Sequence, residues 1–452
     1  PANLESNFVV TRDTKRGYFR VHLVRYSPMG HGDDQSRPIE SGPRGTIDVV
    51  GVLNGIRVVE VAAWTYVPVA GAILAEWGAD VLKIEHPESG DPQRGLVTSG
   101  LIPAGGVNHM FELPNRGKRS VAIDLKSEQG RALLMRLIAT ADVFLTNFRP
   151  DARKKLGLDV EDVRAVNDKI VYVRGSSSGQ RGEEANRGGY DMTSFWSRGG
   201  AADNISPDEL DYRLTMPGPA FGDVLGVLTL AGAVSTALLH RERTGEALTV
   251  DSSLLAMGAW SMGATIAGAH AFNMERYPKH TPATAANPLV NTYKTADGRF
   301  ISLVMLESDR YWPELVTVLG IPEMITDPRF ENHAKRGENR LEVIEVLSNA
   351  FGKRTLEEWK PELAKIDGSW SVVQTPREVV TDPQVLANGY ITDLTDVNGV
   401  DYKLVSTPIQ FNETPSELTR APDHGEHTDA VLEEWGLSME EIIDYKVSGA
   451  IL

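Results

Sequence analysis

Residues 55–85 read GIRVVEVAAWTYVPVAGAILAEWGADVLKIE, and this stretch decides the fold. IRVVEVA (56–62) is a short apolar run rich in β-branched residues and predicts a buried strand. Pro68–Trp77 predicts a helix, with Pro68 suited to its first turn. Gly78 falls where a left-handed helix terminator belongs, and VLKIE (81–85) predicts the next strand. Strand, helix and strand in about 30 residues make a βαβ unit, hence two parallel strands with a right-handed crossover.

The unit recurs downstream. Ser120–Leu125 predicts a strand, Ser127 an N-cap for a helix to Thr140, Ala141–Phe148 a strand, Val160–Val166 a helix and Ile170–Arg174 a further strand. The alternation predicts a doubly wound, Rossmann-like α/β large domain. After Gly245 the pattern changes. Asn287–Tyr293 and the following TADGRFISLVML predict strands around an Asp297-Gly298 turn, and helices are expected at Tyr311–Leu319, Arg340–Ala350 and Thr355–Leu363. This predicts a smaller α+β domain. The expected division is an extension (1–50), the large domain (51–255), a linker (256–284), the small domain (285–385), and a linker with a C-terminal return to the large domain (386–452).

Composition narrows the function classes. The chain of 452 residues carries a formal net charge of −16, an acidic balance that disfavours nucleic acid and anionic membrane as partners. It has no cysteine, which excludes disulfides, thiol nucleophiles and thiolate metal sites and fits a reducing, cytoplasmic location. No metal site is expected. The first 30 residues are basic in part but hold no apolar run of secretory length. Two uncharged runs invite a membrane reading. Val224–Leu239 falls short of the ~20 residues a span requires, and Ser252–Met274 is rich in Gly, Ala and Ser and holds His270. Neither is expected to span a membrane.

Dinucleotide-binding sheets carry G-x-G-x-x-G after the first strand, whereas AAWTYVPVAG has no glycine before Gly71, so NAD and FAD are disfavoured. Gly175–Gly179 (GSSSG) matches the G-x-S-x-G elbow of serine hydrolases, with Ser177 as nucleophile, but the polar QRGEEANRGG follows where a helix is required. Two basic clusters stand out, NRGKR (115–119) and Arg149 with Arg153, Lys154 and Lys155. Each adjoins a strand end and reads equally as a phosphate site or a solvated face. Asp223 opens an apolar helix and reads as its N-cap. A carboxylate so placed is expected to stay ionised, and an ionised carboxylate can attack an acyl carbon.

In order and spacing, the segments GIRVVEV (55–61), WGADVLKIE (77–85), SGDPQRG (89–95), GKRSVAIDLK (117–126), ADVFLTNFRP (141–150), LGL (156–158), GGYD (188–191), FGD (221–223), RTG (243–245) and GEHT (425–428) together resemble the class III CoA-transferase family of CaiB/BaiF type. The resemblance covers essentially everything after Gly51. It implies an interlocked, ring-like homodimer with active sites between the large domain of one chain and the small domain of the other. It implies acyl-CoA and a carboxylic acid as substrates, with no tightly bound cofactor. Asp223 would be the nucleophile, passing through an acyl-aspartyl anhydride and an aspartyl-CoA thioester. The coenzyme A contacts of formyl-CoA transferase would fall on Thr65, Tyr66, His86, Ile123, Asp124, Leu125, Lys126, Asn147, Phe148, Arg149, Lys155, Gly188, Gly189, Tyr190 and Asp191. This chain departs from that enzyme at Thr65, His86 and Leu96, where glutamine, arginine and tryptophan are expected. It also lacks a four-glycine loop between Asn273 and Phe300, so formate and oxalate are disfavoured as substrates. The alternatives are an α-methylacyl-CoA racemase of the same fold, in which a histidine would stand at Tyr190, a serine hydrolase, and a CoA-binding protein without catalysis. A phenol near pKa 10 is a poor base at neutral pH, which favours transfer over racemisation.

Overall fold

The computed structural model describes residues 8–12, 19–23, 51–101, 106–279 and 281–452. The chain divides into two units, Pro1–Asp48 and Val49–Leu452. In the first, Phe8–Arg12 and Phe19–Leu23 pair antiparallel. The rest of the N-terminal extension lies outside the described residues.

The second unit is built on six parallel strands: β1 (Arg57–Val61), β2 (Asp80–Glu85), β3 (Arg119–Ala122), β4 (Val143–Thr146), β5 (Val171–Ser176) and β6 (Thr249–Ser253). Their spatial order is 3-2-1-4-5-6, the doubly wound order with its switch point between β1 and β4. The sixth strand was not expected from the sequence. TVDSS is an edge strand that is only partly buried, so it lacks the apolar run by which the inner strands announce themselves.

Both sheet faces are covered, and adjacent strand residues divide between them. On one face Val58, Val143, Leu145, Val171 and Val173 pack under α1 (Tyr66–Glu76) and α7 (Phe221–Thr244). On the other, Val59, Phe144 and Tyr172 pack with Leu133, Leu134 and Leu137 of α3 (Glu128–Ile138). Ser127 caps α3 by accepting from the Gly130 amide at 2.9 Å. The remaining crossovers include α2 (His109–Asn115), α4 (Pro150–Leu156), α5 (Val160–Val166) and α6 (Ala201–Ile205). α7 is long and apolar enough to span a membrane by length and composition, with a mean hydropathy of 1.7. Here Val227, Leu230, Ala231 and Val234 instead pack against α1 in the first core.

The first glycine after β1 has a packing role. A Cβ on Gly71 would come within 2.0 Å of Glu60 Oε2, so the bare backbone of α1 admits a charged residue rising from the middle of β1. Glu60 is fully buried and is bonded by Lys118 Nζ at 2.7 and 2.8 Å.

Residues 285–372 form a separate hydrophobic core. It holds an antiparallel sheet of β7 (Val290–Lys294), β8 (Phe300–Val304) and β9 (Trp370–Val372), with helices at Ser308–Val318, Arg340–Phe351 and Leu356–Leu363. A hairpin of β10 (Ile391–Thr395) and β11 (Asp401–Val405) occupies a stretch read from sequence as linker. The tail then packs on the second face of the large sheet through Val431, Leu432 and Ile442. Thr428 Oγ1 accepts from the Ala122 amide at 3.0 Å, and the Asp124 amide donates to the Ala450 carbonyl at 2.8 Å.

Candidate active site

Open parallel sheets bind ligands beyond the carboxyl ends of their strands, at the switch point. A cavity of about 790 Å³ lies there, between the exits of β1, β4 and β5. It gathers Thr65, Tyr66, Asn147, Phe148, Arg149, Gly188, Gly189, Tyr190 and Asp223 from the sequence-predicted residues.

Side chains from neighbouring elements build its rim. Asn147, just past β4, grips the turn after β1 from both sides: its Nδ2 donates to the Ala63 carbonyl at 2.6 Å and its Oδ1 accepts from the Ala63 amide at 3.1 Å. The next residue, Trp64, is left-handed at φ 66°, uncommon for so bulky a side chain. Its indole meets the Tyr190 ring edge-on at 5.8 Å. Thr65 Oγ1 accepts from Gln93 Nε2 at 2.7 Å. The Tyr66 hydroxyl bonds Ser252 Oγ at 2.6 Å, and burial, with the charge of Asp223 adding to it, pushes the phenol up to about 12. It therefore stays protonated.

Asp223 corrects two expectations. It is not the N-cap: α7 starts two residues earlier, after a left-handed Ala220 (φ 58°), so Asp223 stands in the first turn. Nor does the helix terminus keep it ionised in the free chain. Burial, reinforced by the negative charge of Asp191, raises its carboxyl to about 8. Asp191 is itself buried. It accepts from the Met192 amide at 2.8 Å, and its Oδ2 has no hydrogen-bond partner among the described residues.

The other sequence-predicted contacts lie away from this cavity. His86 and Asp124, beyond β2 and β3, face one another at 3.7 Å. Ile123 is fully buried, so only its backbone can meet a ligand, while Leu125 is half-buried against the same core. Lys126 and Lys155 are exposed.

The two basic clusters part company. Arg149 is exposed at the head of α4, and among the described residues Arg149, Lys154 and Lys155 form no ion pair. Arg153 is buried, donating to the Phe148 carbonyl at 2.7 Å and to Asp159 at 3.1 Å, so it is not part of an open phosphate site. NRGKR lies at the amino end of β3 and is neither a phosphate site nor a solvated face. Arg116 pairs with Glu76 at 2.8 Å, Lys118 with Glu60 at 2.7 Å and Arg119 with Asp80 at 2.6 Å.

Ser177 lines the cavity, but β5 is followed by a long loop rather than a helix, and Ser177 Oγ bonds Ser194 Oγ at 2.7 Å. No histidine lines the cavity among the described residues, so the hydrolase reading lacks its base. Sequence reasoning missed a buried network of Glu60, Lys83, Asp91 and Lys118 beneath the turn after β1. Its signal was present, because a charged residue inside a strand buried on both faces needs a partner.

A sequence profile described as CoA-transferase family III matches residues 53–428. The chain is 30% identical over 402 residues to the (R)-2-hydroxy-4-methylpentanoate CoA-transferase of Clostridioides difficile, covering 88% of this chain and 99% of that protein. It is 34% identical over 403 residues to the succinate–glutarate CoA-transferase of Agrobacterium fabrum, covering 84% and 95%. A crystal structure of a CaiB/BaiF family protein from Brucella suis superposes with a TM-score of 0.74 at 31% identity, covering 85% and 99%.

Proposed function

This chain belongs to CoA-transferase family III, and from that premise we propose that Asp223 carries coenzyme A from an acyl-CoA thioester to a free carboxylic acid. The observation that carries the reading is a desolvated carboxylate in the first turn of α7, on the wall of a cavity at the switch point of the sheet. A carboxylate stripped of water is a stronger nucleophile once deprotonated.

Ionised Asp223 attacks the thioester carbonyl, forming an acyl-aspartyl anhydride and expelling the CoA thiolate. The thiolate attacks the aspartyl carbonyl, forming aspartyl-CoA thioester and releasing the donor acid. The acceptor carboxylate attacks that thioester, giving a new anhydride and thiolate. The thiolate then takes the acyl carbon, which yields the product acyl-CoA and restores Asp223. No net proton or electron is exchanged.

Exposed Arg149 and Lys155 are the groups suited to the phosphates of coenzyme A, with Lys126 and His86 further along the same edge. The active form in this reading is an interlocked homodimer. Val224 and Leu225 on α7, Trp260 (81% exposed) on the helix after β6, and Phe272 (73% exposed) just past the helix that follows it leave an apolar surface that a second copy would cover.

A carboxyl group raised to about 8 would also suit a general base, the racemase reading. One experiment separates them. Incubation with a donor acyl-CoA followed by hydroxylamine should place a hydroxamate on the peptide containing Asp223, and Asp223→Asn should abolish both adduct and transfer. Rapid exchange of the substrate α-hydrogen with deuterated solvent, without an adduct, would make Asp223 a base.

A further inference from the structure

We propose that Asp91, with Gln93 beside it, is a positioning residue of the acyl-CoA site, holding the Ala63–Thr65 turn in the strained form that presents Trp64 and Thr65 to the cavity. The inference rests on reading the Asp223 cavity as that site. Trp64 occupies left-handed space at φ 66°, where a bulky residue persists only if its surroundings over-determine it. Asp91 supplies part of that determination, beside the grip of Asn147 on Ala63. Its Oδ1 accepts from the Trp64 amide at 3.3 Å and from the Gln93 amide at 2.9 Å. Gln93 closes the arrangement by donating to Thr65 Oγ1 at 2.7 Å.

Asp91 is locked in turn. It is 3% exposed, its other oxygen accepts from Lys83 Nζ at 2.7 Å, and its own amide donates to Glu85 Oε2 at 2.9 Å. Lys83, fully buried, also donates to the Ala62 carbonyl at 3.2 Å, just before the turn. A buried ion pair is weak evidence for stability, because well-packed apolar residues often serve as well. What an apolar pair cannot do is present an acceptor to the Trp64 amide while fixing the Ala62 carbonyl before the turn.

The test removes the ion pair and varies only the acceptor. Lys83→Met/Asp91→Ala and Lys83→Met/Asp91→Asn both lack the buried charges, but asparagine can still offer Oδ1 to Trp64. Relative to the unaltered chain, the alanine pair should raise the KM for acyl-CoA roughly tenfold with kcat changed less. The asparagine pair should recover most of that loss. Gln93→Leu leaves the ion pair intact and should raise KM about threefold, which keeps the test decisive if the doubly substituted chains do not fold. Equal KM values in the alanine and asparagine chains, or an unchanged KM in Gln93→Leu, would overturn the proposal. Asp223→Asn, assayed alongside, separates the two readings. If it still transfers CoA, the cavity assignment fails. If it is inactive while the Asp91 and Gln93 variants match the unaltered chain, only the positioning role fails.

Discussion

One basic cluster sits at the amino end of the parallel sheet and another at its carboxyl end, and they differ in how many of their cations the protein itself pairs. At the amino end, Arg116, Lys118 and Arg119 are each matched to a carboxylate within 2.8 Å. At the carboxyl end, Arg149, Lys154 and Lys155 form no ion pair among the described residues. The difference teaches that cationic composition alone says nothing about ligand binding. A lysine whose donors are all taken by the protein has nothing left for a phosphate, whereas an exposed arginine at the head of a helix does. Burial pulls the Lys118 ammonium down to about 7, and the Glu60 carboxylate opposes that fall. The amino end spends its charge on holding β1, β3 and α1 together.

The sharpest way to break this contrast is to remove Lys118. Lys118→Met leaves Glu60 buried with only Lys83, at 3.5 Å, and should destabilise the fold by about 3–5 kcal/mol in urea unfolding, a larger effect than any it has on the KM through the shared Lys83–Asp91 pair. Unchanged stability with a raised KM would mean that both ends serve the ligand. Next in size, Arg149→Glu with Lys155→Glu should raise the KM for acyl-CoA about tenfold or more, and the defect should shrink at high salt, since phosphate contacts are screened. Stability should move by no more than about 0.5 kcal/mol, the usual range for surface changes. A large stability loss with an unaltered KM would make the carboxyl-end cluster structural too.

Removing the Asp223 carboxyl should change how stability depends on pH. Its carboxyl is raised from an ordinary 3.8 to about 8, so between those values the folded chain holds a proton that the unfolded chain has released. Stability from this group is fully present at low pH and falls as pH rises through that window. Asp223→Asn removes the dependence. The variant should melt higher than the unaltered chain at pH 8.5, and the gain should vanish at pH 4. Equal melting temperatures at both values would show that Asp223 is solvated enough to titrate normally.

The parallel sheet was legible because inner strands buried on both faces read as continuous apolar runs, as IRVVEVA does. The position of Asp223 was legible through the FGD segment and the apolar helix behind it. The fate of NRGKR was not, since its partners are distant in the chain: Glu60 lies 58 residues from Lys118, and Glu434 lies 315 from Arg119. Trp64 was hidden for another reason. Left-handed backbone is usually advertised by glycine or asparagine, and here a tryptophan is held there by side chains from two other loops. The raised carboxyl of Asp223 was invisible as well, because it depends on burial and on Asp191, whose approach only folding creates.

Gly71 would look different to a geneticist than to a chemist. It lies outside the cavity lining, yet any side chain there meets the Glu60 carboxylate, so alleles at this codon would lower the amount of folded enzyme. Suppressors would arise at Glu60, where Glu60→Asp withdraws the carboxylate by one carbon and makes room. The two codons would then be inherited as a pair, linked by a shared space rather than by a shared task.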